Sequence, residues 1–242
     1  MAKIAMEHRI HTPYIVGGIP RDMLLGKLLS VNDIDITTGY SDVHNLADLF
    51  AKHMGVEPKI FKDGHKKVSV DKYTFDFSSN FIYPNIQELL ADQKLKSSDG
   101  LVKETYSRDF TINTLLVPLD FSQIIDLTKV GADDCRNRVL RCPVDSEEAI
   151  KASPNRIVRA IYYMAKYDLN ISGELKDAIV NNVNLLGSIS PKYSTDKISK
   201  AIEMRPDMLD FIISLGVLKK IPLTTSISDL LIKNKKLLEV VK

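Results

Sequence analysis

Two aspartates separated by one residue are the feature of this sequence with the clearest chemical meaning. Asp33 and Asp35 lie in "NDIDITTG", where polar and apolar residues alternate. Alternate side chains of a β-strand share a face, so Ile34 and Ile36 are predicted to enter a core while the carboxylates share the other face, about 7 Å apart at Cα. Paired carboxylates bind divalent cations such as Mg²⁺, which promote phosphoryl transfer in two-metal sites. The alternative is a solvated pair on an exposed strand.

A pair of glycines precedes these aspartates. The segment "YIVGGIPRDMLLG" (residues 14–26) is an apolar run that ends at Gly17 and Gly18, and a short helix is predicted to follow. Glycines at this place let backbone N–H groups approach a phosphate. Arg21 and Asp22 fall in that helix, and Arg21 is predicted to lie beside bound phosphates. The alternative is a tight turn with a surface Arg21–Asp22 salt bridge.

Further strands and an amphipathic helix are predicted close to these residues. The strands lie at "KIF", "KKVSV" and "KYTFDFSS", and the helix lies at "DVHNLADLFAKHMG". This pattern is typical of an antiparallel-leaning α+β domain. In the third strand Asp76 shares a face with Thr74 and Ser78, which makes it a candidate third carboxylate. An ordinary solvent-facing aspartate is the alternative.

The character of the chain changes at about residue 145, after which helical periodicity dominates, beginning with "SEEAIKASPNRIVRAIYYMAKYD". The predicted organisation is a head over 1–144, a helical neck over 145–190 and a short basic helical region over 191–242. This last region has ten Lys and Arg against six Asp and Glu, with little aromatic interleaving. Two explanations of this positive charge are open: nonspecific contacts with the phosphates of a nucleic acid, or a helix face that is exposed to solvent.

The composition excludes several classes of protein. The 242 residues are 44% hydrophobic and 26% charged, which is typical of a globular chain and not of a disordered one. No apolar run approaches the length of about 20 residues that a membrane-spanning helix requires, so no membrane association is expected. Cys135 and Cys142 form no CxxC motif, which favours free thiols in a reducing compartment. A cytoplasmic protein is therefore expected.

Four motifs, in this order, resemble the class II nucleotidyltransferases of the DNA polymerase beta superfamily, the group of bacterial tRNA CCA-adding enzymes and poly(A) polymerases. The first is "VGGIPRDMLLG" followed by "NDIDITT". "SRDFTINTLLVPLD" resembles the family's RRDFTINAL element, and "IIDLTKVGADDCRNRVLRC" resembles the strand and loop that close the head. "ASPNRIVRAIYYMAKY" resembles the neck helix with EDPLRILRAVRF. The resemblance fades after about residue 170.

The resemblance implies a polymerase-beta-like head, with a mixed or antiparallel sheet and flanking helices, followed by an all-α neck and a short helical C-terminal region. It implies that Asp33 and Asp35 hold Mg²⁺ in a two-metal site. A third catalytic carboxylate on a neighbouring strand suits this chemistry, and Asp76 is the candidate because of the face that it occupies. One of the residues that the resemblance places at the nucleotide is Asn113, for which the alternative is that the side chain only stabilises a turn. The implied nucleotide-binding residues are Gly17, Gly18, Arg21, Asp22, Arg108, Asp109, Asn113, Ser153, Arg156 and Arg159.

The neck departs from the family pattern. The acidic pair that presents hydrogen-bonding edges to the incoming base is replaced here by Ala152 and Ser153, and a later arginine is replaced by Tyr162. Without the aspartate, an acceptor for the exocyclic amino group of C or A is missing, and Ser153 replaces it only in part. We therefore expect looser nucleotide selection than in a CCA-adding enzyme. Only about 70 residues follow the neck helix, too few for a full tRNA clamp.

These features predict a Mg²⁺-dependent enzyme that transfers NMP from an NTP, with ATP or CTP as the substrate, to an RNA 3′ hydroxyl without a template. One alternative is a nucleotidyltransferase whose acceptor is a protein or a small molecule. Another is an inactive module that binds nucleotide or RNA. The retained carboxylate pair, glycine pair and Arg108 argue against an inactive module, because a decayed enzyme is expected to lose a costly carboxylate pair first.

Overall fold

The computed structural model describes residues 1–27, 31–62, 64–79, 84–92, 99–236 and 239–240. Contacts within the chain divide it into two compact units, Met1–Asn137 and Arg138–Lys242. The division into head, neck and C-terminal region that the sequence suggests stays a prediction. In the described parts of the chain, no helix is both long enough and apolar enough to cross a membrane.

The first unit is built on a six-stranded sheet. Its strands are β1 (Tyr14–Val16), β2 (Asp33–Thr37), β3 (Lys59–Ile60), β4 (Lys66–Val70), β5 (Tyr73–Phe77) and β6 (Leu116–Pro118). Across the sheet the order is β3-β4-β5-β2-β1-β6. The β2–β5 pair is parallel and the other neighbouring pairs are antiparallel. The predicted mixed, mostly antiparallel sheet is therefore confirmed.

Helices flank this sheet. They are α1 (Ala2–Glu7), α2 (Gly18–Leu24), α3 (Val43–Met54), α4 (Pro84–Asp92), α5 (Gly100–Ser107) and α6 (Gly131–Asn137). The predicted helix at α3 is confirmed, and it ends at Gly55, whose φ of +69° is suited to a helix C-terminus. The third motif differs from the strand and loop that the resemblance implied. Ile125 forms a single bridge with Leu116, and α6 follows.

One face of the sheet is apolar and packs into a core. Burial of this face keeps the carboxylates of β2 on the opposite face. Ile36 of β2 and Phe77 of β5 are almost fully buried and belong to one core with Leu46 and Phe50 of α3. Burying each side chain of this size stabilises the fold by about 1.5–3 kcal/mol. A slip of one residue in β2 would move Asp35 into that core, so hydrophobic burial specifies the register of the strand.

The second unit is mainly helical, as predicted, with one short parallel pair of strands in addition. Its helices are α7 (Ser146–Ala152), α8 (Asn155–Tyr167), α9 (Gly173–Asn182), α10 (Pro191–Met204), α11 (Leu209–Ser214) and α12 (Thr225–Lys233). The strands are β7 (Val139–Leu140) and β8 (Asn170–Ile171). Helices α8 and α10 pack against each other.

The helical segment predicted over 146–168 is two helices and not one. Helix α7 ends at Ala152, and Ser153 has an extended conformation, with φ of −149° and ψ of 88°. Pro154 then precedes α8. Proline Cδ crowds the residue before it and disfavours the α conformation there, so the helix cannot continue through Ser153. A new helix therefore begins after the proline.

Candidate active site

Gly17 makes the tight turn between β1 and α2. Its φ is +76°, and it is the N-cap residue of α2. A Cβ placed on Gly17 would lie 2.7 Å from Oδ2 of Asp35 and 3.3 Å from Nη1 of Arg108. Any larger residue would therefore strain the backbone and clash with the carboxylate. The predicted strand–turn–helix is confirmed, and its turn leaves no room for a side chain beside one member of the aspartate pair.

Three carboxylates line the polar face of the sheet. Asp35 of β2 is directly opposite Asp76 of β5, and Asp33 is opposite Thr74. Asp33 is exposed, whereas Asp35 is half-buried. Burial raises the pKa of Asp35; the positive charge of Arg108 opposes this effect, and the negative charges of Asp76 and Asp33 add to it. The fold thus leaves this face with an excess of negative charge that a cation can offset.

Arg108 and Lys67 supply positive charge at this face. Nη2 of Arg108 donates a hydrogen bond of 2.7 Å to Oε1 of Glu104, a fully buried carboxylate. Nζ of Lys67 lies 2.9 Å from Oδ2 of Asp76, and this hydrogen bond raises the pKa of the lysine. Arg108 and Lys67 both lower the pKa of Asp35 by their charge. They therefore help the fold to tolerate adjacent anions on one strand.

Lys67 and Glu104 were not predicted from the sequence, although each had a local signal. The two-residue turn at 71–72 joins β4 to β5 and places Lys67 opposite Asp76. Glu104 and Arg108 are four residues apart at the end of α5, a spacing at which opposite charges meet on a helix. The hairpin register and the helix spacing therefore indicate both residues.

Arg21 is buried, and its guanidinium is bound to other candidate residues. Nη1 donates a hydrogen bond of 2.8 Å to Oδ1 of Asn113, and Nε donates one of 2.8 Å to Oδ1 of Asp22. Nδ2 of Asn113 in turn donates to Oδ1 of Asp109 at 2.8 Å. The structure therefore brings these four candidate residues into one hydrogen-bonded chain. The Arg21–Asp22 pair exists, but the alternative that placed it on the surface is wrong.

The carboxylates do not form a closed metal cage. Within the described ranges, no group of three or more His, Cys, Asp or Glu residues is arranged to hold a metal ion. Asp76 is bound to Lys67, and Nε2 of His65 lies 4.0 Å from its Oδ2. Asp33 and Asp35 are therefore the better candidates for oxygen ligands on this face. The role of Asp76 as a third catalytic carboxylate stays a prediction.

The remaining candidate residues lie in the second unit. Ser153 occupies the break between α7 and α8. Arg156 is buried in the first turn of α8. Nη2 of Arg159 donates a hydrogen bond of 2.9 Å to Oη of Tyr163, one turn further along the same helix. Their contacts with nucleotide stay predictions.

Comparison with known proteins places the first unit in a family. The family model described as the poly A polymerase head domain matches residues 13–141. The CCA-adding enzyme of Lactobacillus helveticus (strain DPC 4571) is 29% identical over 177 residues, covering 73% of this chain and 42% of the relative. The tRNA nucleotidyltransferase cca2 of Schizosaccharomyces pombe is 26% identical over 206 residues, covering 78% of this chain and 42% of the relative. The chain thus spans less than half the length of these relatives.

Solved structures share the fold. A tRNA-processing enzyme with CTP matches with a TM-score of 0.69 and 26% identity, over 91% of this chain and 57% of the other. A tRNA nucleotidyltransferase complexed with a primer tRNA and an incoming ATP analog matches with a TM-score of 0.68 and 25% identity, over 91% of this chain and 61% of the other. The family match includes Gly17, Asp35 and Arg108. As its motifs predicted, the chain belongs to the poly A polymerase head domain family.

Proposed function

We propose that this protein transfers a nucleoside monophosphate from an NTP to the 3′ hydroxyl of an RNA, without a template. The observation that carries the proposal is the position of the Asp35 carboxylate against the Gly17 turn, where a Cβ would lie 2.7 Å from its Oδ2, beside Asp33 and Arg108 and within the family match. The names of two similar proteins, CCA-adding enzyme and tRNA nucleotidyltransferase, support an RNA acceptor. The neighbouring structures that contain CTP and an ATP analog support CTP and ATP as substrates.

Asp33 and Asp35 would hold Mg²⁺, and their chemistry fits that ion. Mg²⁺ prefers oxygen ligands and is usually bound by one or two carboxylates together with substrate phosphates, so a closed protein cage is not required. Burial and the nearby carboxylates raise the pKa of Asp35, so a cation at this place would relieve an unfavourable charge. When bound, such an ion neutralises phosphate charge and favours ionisation of the attacking hydroxyl.

The protein's own residues would orient the substrate at this face. Glu104 holds the guanidinium of Arg108 beside the Gly17 turn, where its positive charge can attract the phosphates of an NTP. Gly17 keeps the space beside Asp35 free of a side chain. The hydrogen bond from Arg21 to Asn113 links α2 to the segment that follows Arg108. A rigid arrangement of this kind lowers the cost of ordering the reacting groups.

The test is incubation of the purified protein with Mg²⁺, each labelled NTP in turn, and either total RNA or tRNA lacking its 3′ end. We expect label on the RNA 3′ end that depends on Mg²⁺. In Asp33→Ala the rate should fall at least about 10²-fold, the usual cost of removing one electrostatic contact to a transition state. The matched control is Asp177→Ala, an exposed aspartate of α9, which should keep the wild-type rate.

Three outcomes would overturn the proposal. Label found on a protein or a small molecule would change the acceptor. Nucleotide binding without transfer to any acceptor would make the chain a binding module. A rate unchanged in Asp33→Ala, with circular dichroism showing an intact fold, would remove the carboxylate pair from the chemistry.

A further inference from the structure

A cationic and aromatic surface lies on α8 and α10, within the second unit. It consists of Arg159, Tyr162 and Lys166 of α8 together with Tyr193 and Lys197 of α10. These five residues form the lysine–tyrosine patch. Of the five, only Arg159 is among the candidate nucleotide-binding residues that the resemblance implies. Tyr162 stands where the family pattern has an arginine.

Lys197 is the centre of the patch. Its Nζ lies 4.2 Å from the centroid of the Tyr162 ring and 5.9 Å from that of the Tyr193 ring. Nζ of Lys166 lies 5.9 Å from the centroid of the same Tyr162 ring. Contacts of a cation with an aromatic face are attractive, by about 0.5–1 kcal/mol at exposed sites. They therefore hold charges from two helices around one partly exposed ring.

The patch carries mutually repelling positive charge. Burial lowers the pKa of Lys197; Asp196 opposes this effect, and the charges of Lys200, Arg159 and Lys166 lower the pKa further. Asp196 also pairs with Lys200, at 2.9 Å between its Oδ1 and Nζ. An anion bound at the patch would relieve the repulsion, so its charge is complementary to phosphate.

We infer that the lysine–tyrosine patch binds single-stranded RNA, with its cations on phosphates and its tyrosine rings against unpaired bases. Arg159 and Lys166 are seven residues apart on α8, about 10 Å along the helix axis, and aromatic rings lie among the cations. A strand that alternates phosphates and bases uses both kinds of side chain, whereas a free polyphosphate uses only the cations. This inference rests on the proposed function, because the bound strand would be the acceptor.

The fold brings an aromatic ring to the basic region. The sequence after residue 190 has little aromatic interleaving of its own. In the folded unit, Tyr162 of α8 supplies a ring to Lys197 of α10, 35 positions later in the chain. The replacement of an arginine by Tyr162 then exchanges a phosphate contact for a stacking surface, while Lys197 restores positive charge beside it.

The experiment measures fluorescence polarisation of a short labelled single-stranded RNA on the full chain, without NTP or metal. We expect Tyr162→Leu to raise the dissociation constant about fivefold or more, the usual effect of losing one stacked base. Lys197→Gln should also weaken binding and should reduce the slope of log K against log salt by about 0.7, the value for one phosphate contact on a single strand. A purely structural role for Lys197 would not move this slope.

Lys176→Gln is the matched control. Nζ of Lys176 lies 6.0 Å from the ring centroid of Phe211, so this variant also loses a lysine–aromatic contact in the second unit, but outside the patch. Its affinity should stay within twofold of wild type, and melting curves should show that all variants fold. If Tyr162→Leu fails to fold, the salt slope of Lys197→Gln decides the question.

An affinity and a salt slope that do not change in Lys197→Gln would overturn the inference. Equal competition by duplex RNA, or by inorganic triphosphate at the same phosphate concentration, would replace it with a simple anion site. The inference and the proposed function can fail separately. RNA binding that depends on the patch, without nucleotide transfer, would overturn only the enzyme, whereas transfer with unaltered binding by the patch variants would overturn only the patch.

Discussion

Nη1 of Arg21 donates a hydrogen bond of 2.8 Å to Oδ1 of Asn113, a residue 92 positions later in the chain. Arg21 is 5% exposed and Asn113 is 4% exposed, so water has little access to either group. Asn113 extends the contact to Asp109 through its Nδ2. This hydrogen bond links the helix after the Gly17 turn to the segment after Arg108, and it therefore connects two motifs of the candidate site.

Replacing Asn113 with alanine should destabilise the protein. Asn113→Ala removes an acceptor from the buried guanidinium of Arg21, and an unsatisfied buried group of this kind costs about 1–3 kcal/mol. The measurement is urea unfolding followed by circular dichroism. The matched control is Asn234→Ala, whose exposed amide donates to the carbonyl of Leu230 and should change stability by about 0.5 kcal/mol or less. Equal losses in the two variants would contradict the role assigned to the Arg21–Asn113 bond.

Glu104 should stabilise the fold through Arg108. Glu104→Gln keeps the shape of the side chain but removes the charge that faces the guanidinium, and hydrogen bonds to charged groups contribute about 1.5–3 kcal/mol. Unfolding of Glu104→Gln, Arg108→Gln and the double variant should give a coupling energy of about 0.5–3 kcal/mol. Glu148→Gln, at an exposed ion pair with Lys151, serves as the control and should cost about 1 kcal/mol or less. Zero coupling would refute the prediction.

Gly17→Ala should reduce nucleotide transfer far more than Gly26→Ala. Both glycines have positive φ, +76° and +64°, so both alanine variants should lose stability through backbone strain, by about 1–3 kcal/mol. The loss should be larger at Gly17, because its ψ of −113° lies outside the left-handed helical region. At Gly17 the new Cβ would meet a carboxylate, 2.7 Å from Oδ2 of Asp35. At Gly26, among the described residues and apart from its two chain neighbours, no atom lies within 4 Å of the new Cβ. Transfer rates at saturating NTP, beside melting curves, separate the two effects. Similar rates for the two variants would show that the clash is harmless.

Removing the charge of Asp35 should stabilise the metal-free protein at neutral pH. Burial raises the pKa of this carboxyl above its ordinary value of 3.8, so the folded state binds the proton more tightly than the unfolded state. Stability that depends on Asp35 is therefore present below 3.8 and is lost as pH rises through the raised pKa. We expect Asp35→Asn to raise the melting temperature at pH 7 in EDTA, and the gain should vanish in acid below the ordinary pKa.

The control for this experiment is Asp177→Asn, at an exposed position of α9. Its melting temperature should follow that of wild type at every pH. A gain in Asp35→Asn that is the same in acid and at neutral pH would show that packing, and not charge, explains the effect.

Nucleotide choice should respond to an acid at the neck. The resemblance assigns Ser153 to the place of a base-recognising aspartate, and one lost hydrogen bond of this kind accounts for about 1–3 kcal/mol of discrimination. Wild-type protein should therefore prefer one NTP over another by modest factors, and Ser153→Asp should increase the preference for CTP and ATP by about fivefold or more. Single-nucleotide transfer assays measure this. Ser188→Asp, at an exposed serine of the same unit, is the control. Strict addition of C, C and A by the wild type would contradict the prediction.

The local sequence was sufficient to predict the polar face of β2 and the glycine turn, because both depend on residue types and spacing within a few positions. Alternation places Asp33 and Asp35 on one face wherever the strand packs, because side-chain direction in a strand depends only on the backbone. The turn at Gly17 likewise follows from the freedom of glycine to adopt positive φ. The helix break at Ser153 was also a local signal, but helical periodicity on both sides outweighed the proline in the prediction.

Only the tertiary structure decided which groups meet when they are far apart in the chain. Asn113 accepts from Arg21 across 92 positions, and Lys197 lies over Tyr162 because α8 and α10 pack together. Residue types and spacing limit the local conformation, since φ, ψ and side-chain direction depend on near neighbours. Partners distant in the chain are selected by burial, which removes water from a charged group and makes one specific hydrogen bond or charge pair more favourable than its alternatives. The depth of Asp35 and the charges around it depend on the packing of the whole sheet.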